Sequence, residues 1–306
     1  MELVKLKIAV LKGGPSAERE VSLRTGAAVA AALREEGWAV TEVDVQDETF
    51  ILPEKIDLAF LSLHGTFGED GQIQNILNTR GLPFTGSGAE ASARAFDKAE
   101  SKKTFAAANL PTPPAQLLQG GDKLNLPLPV VLKPNCQGSS VGLEFVTADH
   151  EIEGALARSR QHGDEILAER RIVGRELTVG ILGGKALPVI EIRPKQGAYD
   201  YHNKYTAGAT EYLCPAPLSA VQTQQVQELA ESAHEALGCD IYSRVDLIWE
   251  EATQQPWLLE VNTIPGMTAT SLLPKAAAAA GLSFGALCRK IVELSWQRVS
   301  VQQGVA

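Results

Sequence analysis

The chain has 306 residues, a formal net charge of −9 and 21% charged residues, enough length for two or three domains with substantial cores. No run of consecutive Lys or Arg exceeds two, so the electrostatic footprint of a nucleic-acid binder is missing, and an anionic substrate must be held by a few placed cations. Cys136, Cys214, Cys239 and Cys288 are widely separated with no ligand-spaced partner, which reads as free thiols, and no segment has signal-peptide or membrane-spanning character, which points to the cytoplasm.

Lys7 to Leu11 reads as a buried strand, followed by the turn Gly13-Gly14-Pro15-Ser16 and a helix with the stripe Val21, Ala28, Val29, Ala32, Leu33. Val40 to Val45 and Leu58 to Leu63 repeat the strand signal, and Leu82 to Thr85 offers a fourth strand. Alternating strands and helices predict a parallel sheet covered on both faces, whose ligands sit at the carboxyl ends of strands, where Glu18 and His64 fall. Glu18 also reads as a helix cap and His64 as a structural histidine. Gly86-Ser-Gly-Ala-Glu-Ala91 matches a dinucleotide fingerprint, but it follows a late strand and lacks the acidic residue twenty positions on, so a turn is the better account. Phosphate-loop, nucleophile-elbow and zinc-helix patterns are absent.

A charged, alanine-rich helix is expected from Glu90 to Asn109, carrying Lys98 and stopped by Pro111-Thr-Pro-Pro114, with a domain boundary near 86–97. Leu128 to Pro134 is a strand ending in Lys133, and Asn135-Cys-Gln-Gly-Ser-Ser-Val-Gly142 is a glycine- and serine-rich loop leading into the strand 143–146. Such a loop serves as an anion nest beside a lysine, or as a plain hairpin turn. A helix over 149–161, a strand over 165–169 and a hairpin over 176–192 follow. Residues 194–212 have no period and include four tyrosines, the pattern of a functional lid. Ser219 and Gln222 form a capping box for a helix that ends at Gly238. The last helix has the stripe Leu287, Ile291, Leu294.

The densest chemistry lies in Arg244-Val-Asp246 and Glu260-Val-Asn262. Alternation puts Arg244 and Asp246 on one face and Glu260 and Asn262 on one face, and pairing across the segment 250–256 brings three oxygen donors together beside a guanidinium. Donors of this kind suit a hard cation such as Mg²⁺ that takes its remaining ligands from phosphate and water. A surface salt-bridge ladder is the alternative.

The order Lys133…Gly138-Ser139-Ser140-Val-Gly142…Glu169…Arg244-Val-Asp246…Glu260-Val-Asn262-Thr-Ile-Pro265-Gly266-Met267 resembles the ATP-grasp superfamily. With Gly13-Gly-Pro-Ser-Ala-Glu18-Arg-Glu-Val-Ser22, Leu63-His64-Gly65, Gly68-Glu-Asp-Gly71 and Tyr199-Asp-Tyr-His-Asn-Lys204-Tyr205, it is similar to the D-alanine–D-alanine ligase family nearly end to end. The resemblance implies an α/β (α+β) fold with a Rossmann-like N-terminal domain over residues 1–90 and a two-part ATP grasp, central over 91–172 and C-terminal over 173–306. It implies that ATP and D-alanine are the partners, with two Mg²⁺ ions (Mn²⁺ as the alternative) on Asp246, Glu260 and Asn262. Lys98 and Lys133 then contact nucleotide phosphates, and Glu169 and Glu176 the adenine amino group and ribose. Glu18 holds the first ammonium group, bonded to Ser139 and Tyr205; Arg244 and the Gly266 N–H face the reacting carbonyl; Lys204 and Ser271 hold the second carboxylate, with His64 at the substrate site. Family members that make D-alanyl-D-lactate carry Phe where Tyr205 stands here. A homodimer is the family habit.

Three positions depart from the commonest family spelling: Pro15, Asn135-Cys136-Gln137 and Ile264. Another carboxylate–amine ligase or a D-alanine–D-lactate ligase is the nearest alternative, against which Glu18, His64 and Tyr205 argue. A nucleotide-binding regulator with a dead site is the alternative outside enzymology, although no metal-ligand position is lost.

Overall fold

The computed structural model describes residues 6–195 and 208–302 and comprises three sheets with helices packed between and around them. In the first, β1 (Lys7–Gly13) lies between β2 (Ala39–Val45) and β3 (Leu58–Leu61), all parallel. Parallel neighbours need a crossover, supplied by α1 (Arg19–Glu35). Its buried face includes Val29, Ala32 and Leu33 of the expected stripe, and also Ser22, Thr25 and Gly26, which hydropathy alone passes over. Gly26 is needed for close approach, since a Cβ there would lie 2.5 Å from Lys12 Cβ. The fourth strand shrinks to a single parallel bridge between Ala59 and Phe84. Pro83 has no N–H to extend the ladder, and Gly86 at φ 83° turns the chain away.

After α2 (Gln72–Thr79), the single helix expected over 90–109 is two helices, α3 (Ala89–Phe96) and α4 (Lys98–Ala107). Asp97 breaks it: its backbone is extended, and its carboxylate accepts the Glu100 N–H at 3.0 Å, capping a new helix. Lys98 thereby occupies the first position of α4. The start of α4 meets the loop after residue 134, because Asn135 Oδ1 accepts the Ala99 N–H at 2.9 Å and its Nδ2 donates to Asp97 at 3.1 Å.

The second sheet is antiparallel, in the order β4 (Ala115–Leu118), β7 (Ile166–Arg170), β5 (Val130–Pro134), β6 (Glu144–Val146). It is covered by α5 (Ile152–Ser159), a shorter helix than the expected 149–161 because single 3-10 turns flank it. Leu118, Val130, Leu132, Val146, Leu156 and Ile166 form the core beneath.

The third sheet runs β11 (Thr210–Leu213), β10 (Ile190–Pro194), β8 (Arg175–Leu182), β12 (Tyr242–Glu250), β13 (Gln255–Asn262), with β9 (Lys185–Ala186) beside β8. The hairpin return expected over 185–192 is thus interrupted between β9 and β10. The capping box of Ser219 and Gln222 starts α6 (Ala220–Ala236), whose Val226, Leu229, Ala230 and Ala233 cover one face. On the other, α7 (Leu272–Ala279) and α8 (Phe284–Gln302) join this sheet to the first, with Leu287 and Ile291 buried against Leu33, Tyr242 and Leu273. That shared core fixes the two sheets relative to one another, and truncating Ile291 to alanine is expected to cost about 2–5 kcal/mol. Among the described residues, no helix is long and apolar enough to cross a membrane.

Candidate active site

The β12–β13 pair places the expected donors as alternation requires. Asp246 is opposite Glu260 and Arg244 opposite Asn262, with a register shift just beyond Asp246. Arg244 grips Asp246 through two bonds, Nε to Oδ1 at 2.9 Å and Nη2 to Oδ2 at 2.6 Å, and Thr178 on β8 donates to Oδ1 at 2.6 Å. A carboxylate has about four acceptor sites, so three donors leave room for a cation. Asn262 Oδ1 accepts one bond, from Ile264 N–H at 2.9 Å, and retains a second lone pair. The donor set and its placement fit Mg²⁺. Among the described residues, no group of three or more His, Cys, Asp or Glu could hold a metal ion without other ligands.

Two cavities meet at this hairpin. One, of about 300 Å³, is lined by Lys133, Phe145, Glu169, Glu176, Asp246 and Glu260 among others. The other, of about 250 Å³, is lined by Glu18, His64, Ser139, Arg244, Asn262, Gly266 and Ser271 among others. Lys98, Gln137 and Glu260 line both. Lys98 Nζ donates to the Gln137 carbonyl at 2.7 Å and lies 3.7 Å from Glu260 Oε2, so a cation and an anion share the wall between the cavities.

In the first cavity, Glu169 on β7 is 3% exposed, with Lys133 Nζ at 3.2 Å and Lys102 Nζ at 2.7 Å from its Oε2. Burial alone would raise its pKa; the two ammonium groups outweigh that and hold it below the usual carboxylate range. The loop 135–142 is a turn between antiparallel strands β5 and β6. Its Ser139, Ser140 and Gly142 have φ of 54°, 55° and 72°, the left-handed backbone of which anion nests are made.

In the second cavity, Glu18 precedes α1 and receives the Ser139 hydroxyl from that loop, joining the first sheet to the second. A Cβ on Gly65 or Gly138 would lie 2.8 or 2.9 Å from Glu18 Oε2, so two glycines make the slot for this carboxylate. His64, 5% exposed, has Nδ1 3.1 Å from the Ile264 carbonyl and Nε2 3.0 Å from Thr25 Oγ1. A carbonyl only accepts, so Nδ1 carries a proton, while Nε2 is bonded to the Thr25 hydroxyl. Glu69 lies 3.7 Å from His64 Nδ1, and burial raises its pKa, with His64 opposing. Ser271 immediately precedes α7 and accepts the Thr268 N–H at 3.0 Å; a Cβ on Gly266 would approach its Oγ to 2.9 Å.

Thirteen of the fifteen residues expected to act lie around these two cavities. Lys204 and Tyr205, and most of the lid expected over 194–212, lie outside the described residues. Glu69 and Gln137 line the second cavity without having been assigned roles from sequence, although Glu69 stands in the Gly68–Gly71 motif. Lys102 was missed entirely: in sequence it is one lysine of an ordinary charged helix. Two of the unusual spellings have structural reasons: the Asn135 side chain ties α4 to the loop, and the Ile264 side chain is buried with Leu11, Leu61 and Leu63; nothing in the structure explains Pro15.

Family models described as D-ala D-ala ligase C-terminus and N-terminus match residues 115–293 and 46–87. A D-alanine–D-alanine ligase of Methylacidiphilum infernorum is 54% identical over 95% of this chain and 96% of its own length. The D-alanine–D-alanine ligase of Bacillus anthracis complexed with ATP has a similar structure, with a TM-score of 0.85 at 32% identity over 97% of this chain and 99% of that one. The VanG D-Ala:D-Ser ligase of Enterococcus faecalis superposes with a TM-score of 0.84 at 28% identity over 95% and 100%. With its paired donor strands, two abutting cavities and end-to-end similarity, the chain belongs to the D-alanine–D-alanine ligase family, built on the ATP-grasp fold.

Proposed function

We infer that the protein joins two D-alanine molecules into D-alanyl-D-alanine, converting ATP to ADP and phosphate, a step that supplies peptidoglycan precursors. The observation that carries this reading is the common wall of Lys98, Gln137 and Glu260 between a nucleotide-sized cleft and a smaller polar cavity, because a phosphoryl group has to pass from one substrate to the other there.

In this reading the carboxylate of the first D-alanine attacks the γ-phosphorus, giving an acyl phosphate and ADP. The deprotonated amine of the second then attacks the acyl carbon, and phosphate leaves from the tetrahedral intermediate. Glu18, oriented by Ser139, pairs with the first ammonium group. Lys98 and Lys133 lie where they can offset phosphate charge, and Glu169 and Glu176 take the adenine amino group and ribose. Arg244 and the Gly266 N–H face the oxyanion, while His64, Ser271 and Lys204 serve the second substrate. Asp246, Glu260 and Asn262 would hold Mg²⁺, two ions by family resemblance, which when bound neutralises phosphate charge as the two anions approach. Tyr205 completes the bond between Glu18 and Ser139, and the segment 194–212 acts as the lid. The reading extends to a cytoplasmic homodimer, as the same resemblance implies.

The test is ADP release with Mg·ATP and a panel of D- and L-amino acids, D-serine and D-lactate included as second substrates. D-alanine-dependent ADP release, with one dipeptide per ADP, is the expected result. Release that ignores D-alanine, or a preference for another amine or hydroxyl acceptor, would overturn the substrate assignment.

A further inference from the structure

We infer that Lys102 is a positioning residue of the nucleotide cleft: its ammonium group keeps Glu169 charge-compensated and in place when Lys133 turns from that carboxylate to nucleotide phosphate. The inference rests on reading the cleft between the second and third sheets as the ATP site.

The two lysines reach Glu169 from different sides. Lys133 and Glu169 both line the cleft; Lys102 lines neither cavity and is 6% exposed. Its Nζ has three oxygen neighbours: Glu169 Oε2 at 2.7 Å, Thr112 Oγ1 at 2.8 Å and the Pro113 carbonyl at 3.1 Å. Two of its N–H bonds go to Thr112 and Pro113 while its charge is paired with Glu169, so Lys102 is turned toward protein on the side away from the cleft. Lys133 differs. Among the described residues its ion pair is with Glu169, at 3.2 Å, and its side chain borders the open cleft.

A buried carboxylate left with no counter-charge either takes up a proton or moves toward solvent. Either change would spoil Glu169 as an acceptor on the cleft wall. With Lys102 behind it, Glu169 remains ionised while Lys133 serves the incoming anion. Without Lys102, Lys133 is the counter-charge that Glu169 has left among the described residues and is held back from the phosphates. Burial pushes Lys102 down to about 8, partly offset by Glu169, which leaves it mainly protonated at neutral pH.

Lys102 is itself held by both halves of the grasp. Thr112, which accepts from it, donates to the Leu258 carbonyl on β13 at 2.9 Å, and the Leu258 N–H returns a bond to the Pro111 carbonyl at 2.9 Å. The same ammonium therefore touches β7 of the second sheet and the strap fixed on β13, two residues before Glu260.

The experiment is a double-mutant cycle on Lys102→Met and Glu169→Gln, reading the dissociation constant of ADP with Mg²⁺ by calorimetry and the steady-state KM values. Lys102→Met alone is expected to weaken ADP binding at least tenfold and raise the KM for ATP alike, leaving the KM for D-alanine within threefold. In the Glu169→Gln background the same change has nothing to compensate, so the double variant should bind ADP within threefold of Glu169→Gln alone. Wild-type ADP affinity in Lys102→Met, or losses that multiply in the double variant, would overturn the inference. Should Lys102→Met fail to fold, the double variant is required to fold, since it buries no unpaired anion; its failure would equally count against the idea. A wild-type chain that binds no ADP would overturn the reading of the cleft, and this inference with it.

Discussion

The Ser139 hydroxyl donates to the Glu18 carboxylate across 121 residues of sequence, so a loop of the second sheet orients an acid that belongs to the first. The bond supplies a preoriented anion at the cavity floor, where a substrate ammonium can be paired away from water. A charge-assisted bond of this kind is worth about 1.5–3 kcal/mol. Glu18→Gln is therefore expected to raise the KM for the first D-alanine roughly tenfold to a hundredfold, and Ser139→Ala by less, with the KM for ATP nearly unchanged. Equal effects on both substrates would leave Glu18 the role of holding the 135–142 loop through Ser139, since its side chain makes no capping bond to α1.

Gly138 gives a second probe of the same acid. An alanine Cβ there would meet Glu18 Oε2 at 2.9 Å, a contact the flexible carboxylate can relieve only by leaving its slot. Gly138→Ala should then impair D-alanine binding while the melting temperature changes little. A variant with normal D-alanine KM would mean that the carboxylate has another productive position.

Glu260 stands on the wall between the two cavities, opposite Asp246. Glu260→Gln keeps the shape and removes the charge, and is expected to abolish turnover at ordinary Mg²⁺ with the fold intact. Circular dichroism checks the fold, and an Mg²⁺ titration of the residual rate checks the cause. A wild-type rate in this variant would refute the metal assignment.

The parallel first sheet and the facing of Asp246 and Glu260 were legible because both depend on local rules, hydrophobic runs and the two-residue period of a strand. So was α6, whose capping box is written in four consecutive residues. The break at Asp97 was not, because a single acidic residue within an alanine-rich run carries no periodic signal; the partners that make it a break, Asn135 and its loop, are distant in sequence. Lys102 was hidden for the same reason. Its environment is made by β7 and the strap over 110–114, and neither marks the helix sequence. His64 was ambiguous in sequence between a structural and a functional role, and its contacts show why: both ring nitrogens are bonded to protein while the ring also lines the cavity.

His234 on α6 offers a pH prediction away from the chemistry. It is 5% exposed, its Nδ1 lies 2.7 Å from Ser243 Oγ, and burial lowers its pKa to about 4, with Asp240 opposing. Ser243 precedes Arg244 on β12, so this contact anchors the helix beside the site. Between the ordinary histidine value near 6.5 and about 4, the unfolded chain takes up a proton that the folded one refuses. Unfolding then consumes protons, so stability falls as pH drops through that window and is insensitive to this group above it. A shift of this size corresponds to about 3 kcal/mol across the window. His234→Gln keeps a polar partner for Ser243 without a titrating ring, and its urea-unfolding stability should lose that part of the acid dependence. The carboxylates titrate alike in both proteins, so the difference between their stabilities, measured at pH 7, 5.5 and 4.5, isolates the histidine. A difference that stays constant over this range would show that His234 is not kept neutral by burial.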